Sequence, residues 1–213
     1  GSNGEAPYMS REDRSKVIRI VVDQSNGKVP VIAGTGSLST EETIHLTEDA
    51  KDAGADAALI VTPFFFRLSD EELFEHYKAI VESVDLPVIL YNVPKFTGFN
   101  LEPRVVAKLA QLENVVGIKD SSGNIGQIGE IIRLVGDKLS VLAGTGDLIY
   151  PTLMLGGKGA IVAVANAAPL QCSEIYDAFL RREYEKARNI QLRLLPLNDA
   201  LTRKYGVVAC KEA

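Results

Sequence analysis

Val115-Val116-Gly117-Ile118-Lys119-Asp120-Ser121-Ser122-Gly123 is the stretch on which the reading of this chain turns. Val115 to Ile118 is an apolar, β-branched run of the kind that forms a buried strand. The run delivers Lys119 to its last position, and a glycine-bearing turn follows and opens a helix pattern. An ammonium carried into a sheet or barrel interior loses its hydration. Burial therefore lowers its pKa and frees the amine as a nucleophile. The competing reading is a strand-end lysine whose head reaches back to water. The rest of the chain decides between them.

The same unit recurs on both sides of this stretch. Apolar strands are expected at 29–33, 57–61, 87–91, 115–119, 140–143 and 159–163. Helices are expected at 10–25, 39–54, 69–84, 103–112, 125–135, 148–155, 170–180 and 183–204. Ser10, Ser39 and Ser69, each followed by acidic residues, carry the start signals of three of them. Residues 92–98 read as a loop. The strands are apolar throughout rather than alternating, so both faces are buried, and βα repeats of this kind build a parallel sheet. Gly34-Thr35-Gly36 lacks the third glycine of a dinucleotide fingerprint, and no Gly-Lys-Ser/Thr phosphate loop occurs. Polar or glycine residues follow every strand: Gly34, Thr62, Tyr91-Asn92, Lys119-Asp120, Gly144-Thr145 and Ala165-Asn166. A (β/α)8 barrel gathers such strand ends at one mouth, where its chemistry sits. Six strands are counted where closure takes eight. The expectation is a barrel whose first strands precede Gly1 and whose C-terminal end continues past Ala213. In this division residues 1–180 form the barrel portion, strands three to eight, and residues 181–213 a truncated helical extension.

Composition excludes several classes. The 213 residues carry a net charge of −5 with no basic patch, which argues against nucleic acid as a partner. No apolar run is long enough to span a membrane, and no signal peptide is visible. Cys172 and Cys210 lack metal or redox spacing and read as reduced core thiols. The two histidines, His45 and His76, sit mid-pattern in helices, so neither a histidine triad nor a zinc site is expected. Gly156-Gly157-Lys158-Gly159 reads as a plain turn rather than a phosphate nest, because no helix start follows it.

Tyr91 ends one strand and Lys119 the next, which makes them neighbours at the mouth of a parallel barrel. Carbinolamine formation, dehydration to an iminium and carbon–carbon cleavage each move protons, and a phenol near the imine can relay them. Packing under a loop is the alternative for Tyr91. Gly1-Ser2-Asn3-Gly4-Glu5 could offer hydroxyl, amide and backbone N–H donors to a carboxylate, or be a cloning remnant and a turn. Gly144-Thr145-Gly146-Asp147 could do similar work, or cap the next helix at Asp147.

These segments resemble the dihydrodipicolinate synthase / N-acetylneuraminate lyase superfamily of class I, Schiff-base (β/α)8 lyases. The likeness runs in order through Gly1–Glu5, Ala33–Gly36, Val61-Thr62-Pro63, Tyr91-Asn92-Val93-Pro94-Lys95-Phe96-Thr97-Gly98, Gly117–Gly123 and Ala143–Gly146. It implies that Gly1-Ser2 is native sequence lying just after the family's second strand. It implies that Lys119 is the Schiff-base lysine, Tyr91 the proton-relaying tyrosine, and Ser2 and Asn3 the pair that holds a 2-oxo acid carboxylate, with Ser2 joining the relay. Thr97, Gly144 and Ile161 then line the substrate pocket. No metal or organic cofactor is expected, since the lysine supplies the electron sink. A cytoplasmic homo-oligomer, dimer or tetramer, is implied, or a mitochondrial one in a eukaryotic cell.

The departures from the family pattern bear on the branch. The synthases usually carry an arginine inside the tyrosine motif to grip a second carboxylate; here Lys95 and Phe96 stand there, and a lysine lacks the planar fork. They also usually carry a tyrosine after Thr-Pro; here Phe64, Phe65 and Phe66 follow, and none carries a proton. Gly-Ser-Asn-Gly-Glu and Asn198–Gly206 resemble the 4-hydroxy-2-oxoglutarate aldolase branch, and 2-keto-3-deoxy sugar acid aldolases share much of that lining. The leading expectation is reversible aldol cleavage of such a 2-oxo acid to pyruvate and an aldehyde. The alternatives are a 4-hydroxy-tetrahydrodipicolinate synthase condensing pyruvate with aspartate semialdehyde, and an inactive small-molecule-binding homologue.

Overall fold

In the computed structural model, which describes residues 1–213, strands and helices alternate along the chain. In order they are α1 (Arg11–Ser25), β1 (Ile32–Gly34), α2 (Thr40–Asp52), β2 (Ala57–Val61), α3 (Asp70–Ser83), β3 (Val88–Asn92), α4 (Pro94–Thr97), α5 (Pro103–Leu109) and β4 (Val115–Asp120). There follow α6 (Ile125–Val135), β5 (Ser140–Ala143), α7 (Ile149–Met154), β6 (Gly159–Ala160), α8 (Pro169–Leu180), α9 (Tyr184–Asp199) and α10 (Val207–Glu212). The strands succeed one another in sheet order as in sequence, β1 to β6. The chain divides into two compact units, Gly1–Ile118 and Lys119–Ala213, the division falling inside β4. No helix is long and apolar enough to cross a membrane.

In the first unit the parallel register sets Ile32 against Ala57 and Leu59 against Ile89, and brings Val61 beside Tyr91. β3 is buried along its whole length. Each helix start has a local cause. Ser10, Ser39 and Ser69 accept the N–H of Asp13, Glu42 and Glu72, and Glu72 returns the bond to Ser69 in a full capping box. β1 is displaced from its expected place because the Asp56 carboxylate takes the Val31 N–H at 2.7 Å and Pro30 has none to offer. The expected loop at 92–98 contains a helical turn, α4, with Pro94 at its first position and Gly98 closing it at φ +80°.

In the second unit β5 and β6 pair in parallel, Leu142 with Gly159 and Ala143 with Ala160. The core is built from Ile149, Leu153, Val164, Ile175, Leu194 and Leu201. Cys172 and Cys210 are free and pack at its margin. β6 is shorter than expected: a single turn of tight helix begins at Ala163. The expected helix 183–204 breaks after Asp199. The Thr202 hydroxyl donates to the Asn198 carbonyl at 2.7 Å, and the chain widens so that the Tyr205 N–H reaches the Ala200 carbonyl five residues back.

Candidate active site

In β4, side chains alternate between the two faces of the strand, so Lys119 shares a face with Gly117 and Asp120 with Ile118. Lys119 is 9% exposed and Asp120 fully buried. Burial pushes the Lys119 amine down from 10.5 to about 8, the displacement that desolvation produces in a cation. At neutral pH the neutral, nucleophilic fraction is then about one tenth, against less than about one thousandth for an ordinary lysine. The Asp120 carboxylate is fully engaged on its own side. It accepts the Ser122 N–H at 2.9 Å, the Gln127 carboxamide at 2.8 Å and the Ser122 hydroxyl.

The same unit places two further expected residues at strand ends. Gly144, after β5, donates its N–H to the Asp120 carbonyl at 2.7 Å. A side chain at 144 would put its Cβ 1.9 Å from the Ser121 Oγ, so only glycine fits. Ile161 follows β6, half-buried, with its N–H on the Ala143 carbonyl at 2.9 Å. Asp147 does not cap α7. A short tight turn, Gly146–Leu148, precedes that helix, and the Asp147 carboxylate pairs with Arg203 at 2.7 Å.

In the first unit, residues 2–4 form a single helical turn lying over the end of β1, so close that a Cβ on Gly34 would sit 2.9 Å from the Gly1 nitrogen. That turn brings the Ser2 Oγ to 3.3 Å from the Tyr91 hydroxyl, a pair joined across 89 residues of sequence. The bonds that close the turn run from the Gly4 and Glu5 N–H groups to the Gly1 and Ser2 carbonyls, and use neither the Ser2 nor the Asn3 N–H. Ser2, Tyr91, Thr97 and Phe96 line one cavity of about 550 Å³. Asn3 lies exposed outside that lining. The Thr97 hydroxyl is committed to the Phe99 carbonyl at 2.9 Å, which leaves its lone pairs and methyl as wall.

Sequence reasoning missed two residues here. Arg14 lines the same cavity and is half-buried, donating to the Gly34 carbonyl at 2.9 Å; its desolvation lowers its pKa. Asn92 is fully buried behind Tyr91. It donates to the Asn100 Oδ1 at 2.9 Å and accepts the Leu101 N–H at 3.0 Å, which ties β3 to the chain after α4. A polar residue directly after a strand-end tyrosine was the available signal for Asn92. For Arg14, on an exposed helix face by periodicity, there was none. Phe65 is 83% exposed with a left-handed backbone, φ +86°, and stacks edge-on against Phe66. Lys95 stands 5.5 Å from the Phe96 ring.

The family model described as the dihydrodipicolinate synthetase family matches residues 1–213. The chain belongs to that family. It is 45% identical over 213 residues to the 4-hydroxy-tetrahydrodipicolinate synthase of Citrifermentans bemidjiense, covering all of this chain and 73% of that protein. It is 46% identical to the synonymous protein of Methanothrix thermoacetophila, again over all of this chain and 72% of the relative. Among solved structures, the chloride-inhibited dihydrodipicolinate synthase of Acinetobacter baumannii, complexed with pyruvate, superposes with a TM-score of 0.96 at 38% identity, covering 100% of this chain and 73% of that one. The parallel βα repeats are therefore those of a partial (β/α)8 barrel. The family is one of class I enzymes, carbon–carbon lyases, as the resemblance carried by the strand-end motifs implied.

Proposed function

We propose that the chain carries a 4-hydroxy-tetrahydrodipicolinate synthase activity, condensing pyruvate with aspartate semialdehyde through an imine on Lys119. The observation that carries the reading is the buried, partly deprotonated amine at the end of β4. The names of the relatives at 45% and 46% identity support this condensing reaction over cleavage of a 4-hydroxy-2-oxo acid. Lys119 Nζ attacks the ketone carbon of pyruvate, and loss of water from the carbinolamine leaves an iminium. The cationic nitrogen acts as the electron sink while a base takes a C3 proton, and the resulting enamine attacks the aldehyde carbon, whose oxygen takes up a proton. Tyr91 is assigned the proton transfers, with the Ser2 hydroxyl as its partner at 3.3 Å. The Ser2 and Asn3 N–H groups are assigned to the pyruvate carboxylate, and Thr97, Gly144 and Ile161 to the walls. Assembly into a homo-oligomer belongs to the same reading.

A second reading has an observation in its favour. Phe64 to Phe66 stand where the family's synthases usually carry a tyrosine, and Lys95 and Phe96 where they usually carry an arginine, which favours an acceptor other than aspartate semialdehyde. Incubation with pyruvate and each aldehyde, followed by product analysis, separates the two. Condensation with aspartate semialdehyde is expected. Reversible cleavage of 4-hydroxy-2-oxoglutarate with no product from aspartate semialdehyde would overturn the proposal.

A further inference from the structure

Gln191 is a polar side chain inside an apolar core. It lies on α9, is 4% exposed, and is followed three residues later by the core residue Leu194. Burying a carboxamide is unfavourable unless both of its ends are bonded. Both are. The Gln191 Oε1 accepts the Tyr150 N–H at 2.9 Å, one of the donors that the first turn of α7 leaves without a helical partner. The Gln191 Nε2 donates to the Gly146 carbonyl at 2.8 Å. One side chain thus grips both sides of the joint between β5 and α7.

Asn198 lies seven residues on, which is the same face of α9. It is 3% exposed, and its Oδ1 presses on the joint so closely that a Cβ on Gly146 would lie 2.5 Å away. The other end of the joint touches the strand that carries Lys119. The Gly144 N–H donates to the Asp120 carbonyl at 2.7 Å, and a Cβ on Gly144 would collide with Ser121 and with the Asp120 backbone. The turn Gly144–Asp147 is therefore clamped between α9 on one side and the two residues after Lys119 on the other. Neither glycine can gain a side chain without a clash.

We propose that Gln191 is a positioning residue for Lys119: through the Gly144–Asp147 turn it holds the end of β4 in place and keeps water from the amine. This rests on the assignment of Lys119 as the imine-forming lysine, but its test does not need turnover. The rate at which an amine-acylating reagent labels Lys119, followed by peptide mass spectrometry across pH, reports the amine's own titration. Wild-type protein is expected to show a midpoint near 8. In Gln191→Leu the joint loses both bonds and the midpoint rises by at least half a pH unit, which is about threefold less free amine at neutral pH. Gln191→Glu, which keeps the size and the acceptor for Tyr150, gives a smaller shift in the same direction.

Ile175→Val is the control for general loosening, since Ile175 packs in the same core but lies on α8, outside both α9 and the Gly144–Asp147 turn. Its midpoint is expected to stay at the wild-type value although its melting temperature falls. An unchanged midpoint in the folded Gln191 variants, or an equal shift in Ile175→Val, would overturn the proposal. So would failure of both Gln191 variants to fold, which would make Gln191 a core residue and no more. Borohydride trapping of wild-type protein with pyruvate is run beside these. A missing adduct there counts against the Schiff-base assignment, and the labelling midpoints still judge the clamp.

Discussion

Replacing Lys119 by methionine is expected to remove activity and stabilise the protein. In the folded chain the amine titrates near 8, whereas an unfolded lysine titrates near 10.5. Below pH 8 both states are protonated, and the folded state bears the whole unfavourable burial of the ammonium. That displacement corresponds to roughly 3 kcal/mol. Between pH 8 and 10.5 the unfolded chain binds more protons than the folded one, so wild-type stability rises with pH through this window. Above 10.5 the amine is neutral in both states and the penalty is gone. Methionine fills a similar volume without the charge, so Lys119→Met escapes the penalty at every pH. Urea denaturation with linear extrapolation, run on both proteins from pH 7 to 10.5, measures the difference directly. The variant is expected to be about 3 kcal/mol more stable at pH 7, with the pH-dependent part of the gap closing by 10.5. A variant equal to or less stable than wild type at pH 7, with a gap that ignores pH, would refute the claim that Lys119 is held desolvated.

Other outcomes follow from the same geometry. Tyr91→Phe leaves the cavity's shape but removes the hydroxyl paired with Ser2, and steady-state assays are expected to show kcat lower by about 10²–10⁴-fold with the imine still trappable. His76 is 4% exposed, bonds the Thr40 hydroxyl at 2.9 Å, and is pushed by burial from 6.5 to about 4. It must therefore take up a proton as acid unfolds the chain. Stability is expected to fall by about 3 kcal/mol as pH drops from 6.5 to 4, and His76→Leu should flatten that part of a denaturation series. Gly144→Ala drives a methyl into Ser121 and the Asp120 backbone; a clear fall in melting temperature is expected, together with a weakened KM for pyruvate.

How much of this was legible in the sequence depended on the range of the interactions. Helix starts were legible because Ser10, Ser39 and Ser69 cap through residues three positions away. The strands Ala57–Val61 and Ser140–Ala143 announced themselves by their own apolar residues. β1 moved because a carboxylate 25 positions on, Asp56, captures the Val31 N–H. The last long helix broke because Thr202 competes for a backbone carbonyl, a choice that periodicity does not record. The site divides the same way. Lys119 stood out as the one charge ending an apolar strand. Arg14 and Gln191 were invisible, because what gives each its place is a carbonyl 20 or 45 positions away. The branch was read from two short motifs, Gly-Ser-Asn-Gly-Glu and Asn198–Gly206, which pointed to an aldolase, whereas relatives 45% and 46% identical over the whole chain are named as synthases.

The central claim is that Lys119 forms the covalent bond to a 2-oxo acid. Borohydride reduction in the presence of pyruvate, followed by peptide mass spectrometry, tests it most directly. A reduced pyruvate adduct confined to the peptide bearing Lys119, and lost in Lys119→Met, is the expected result. A folded protein that gives no adduct, or one that carries it on another lysine, would contradict the account.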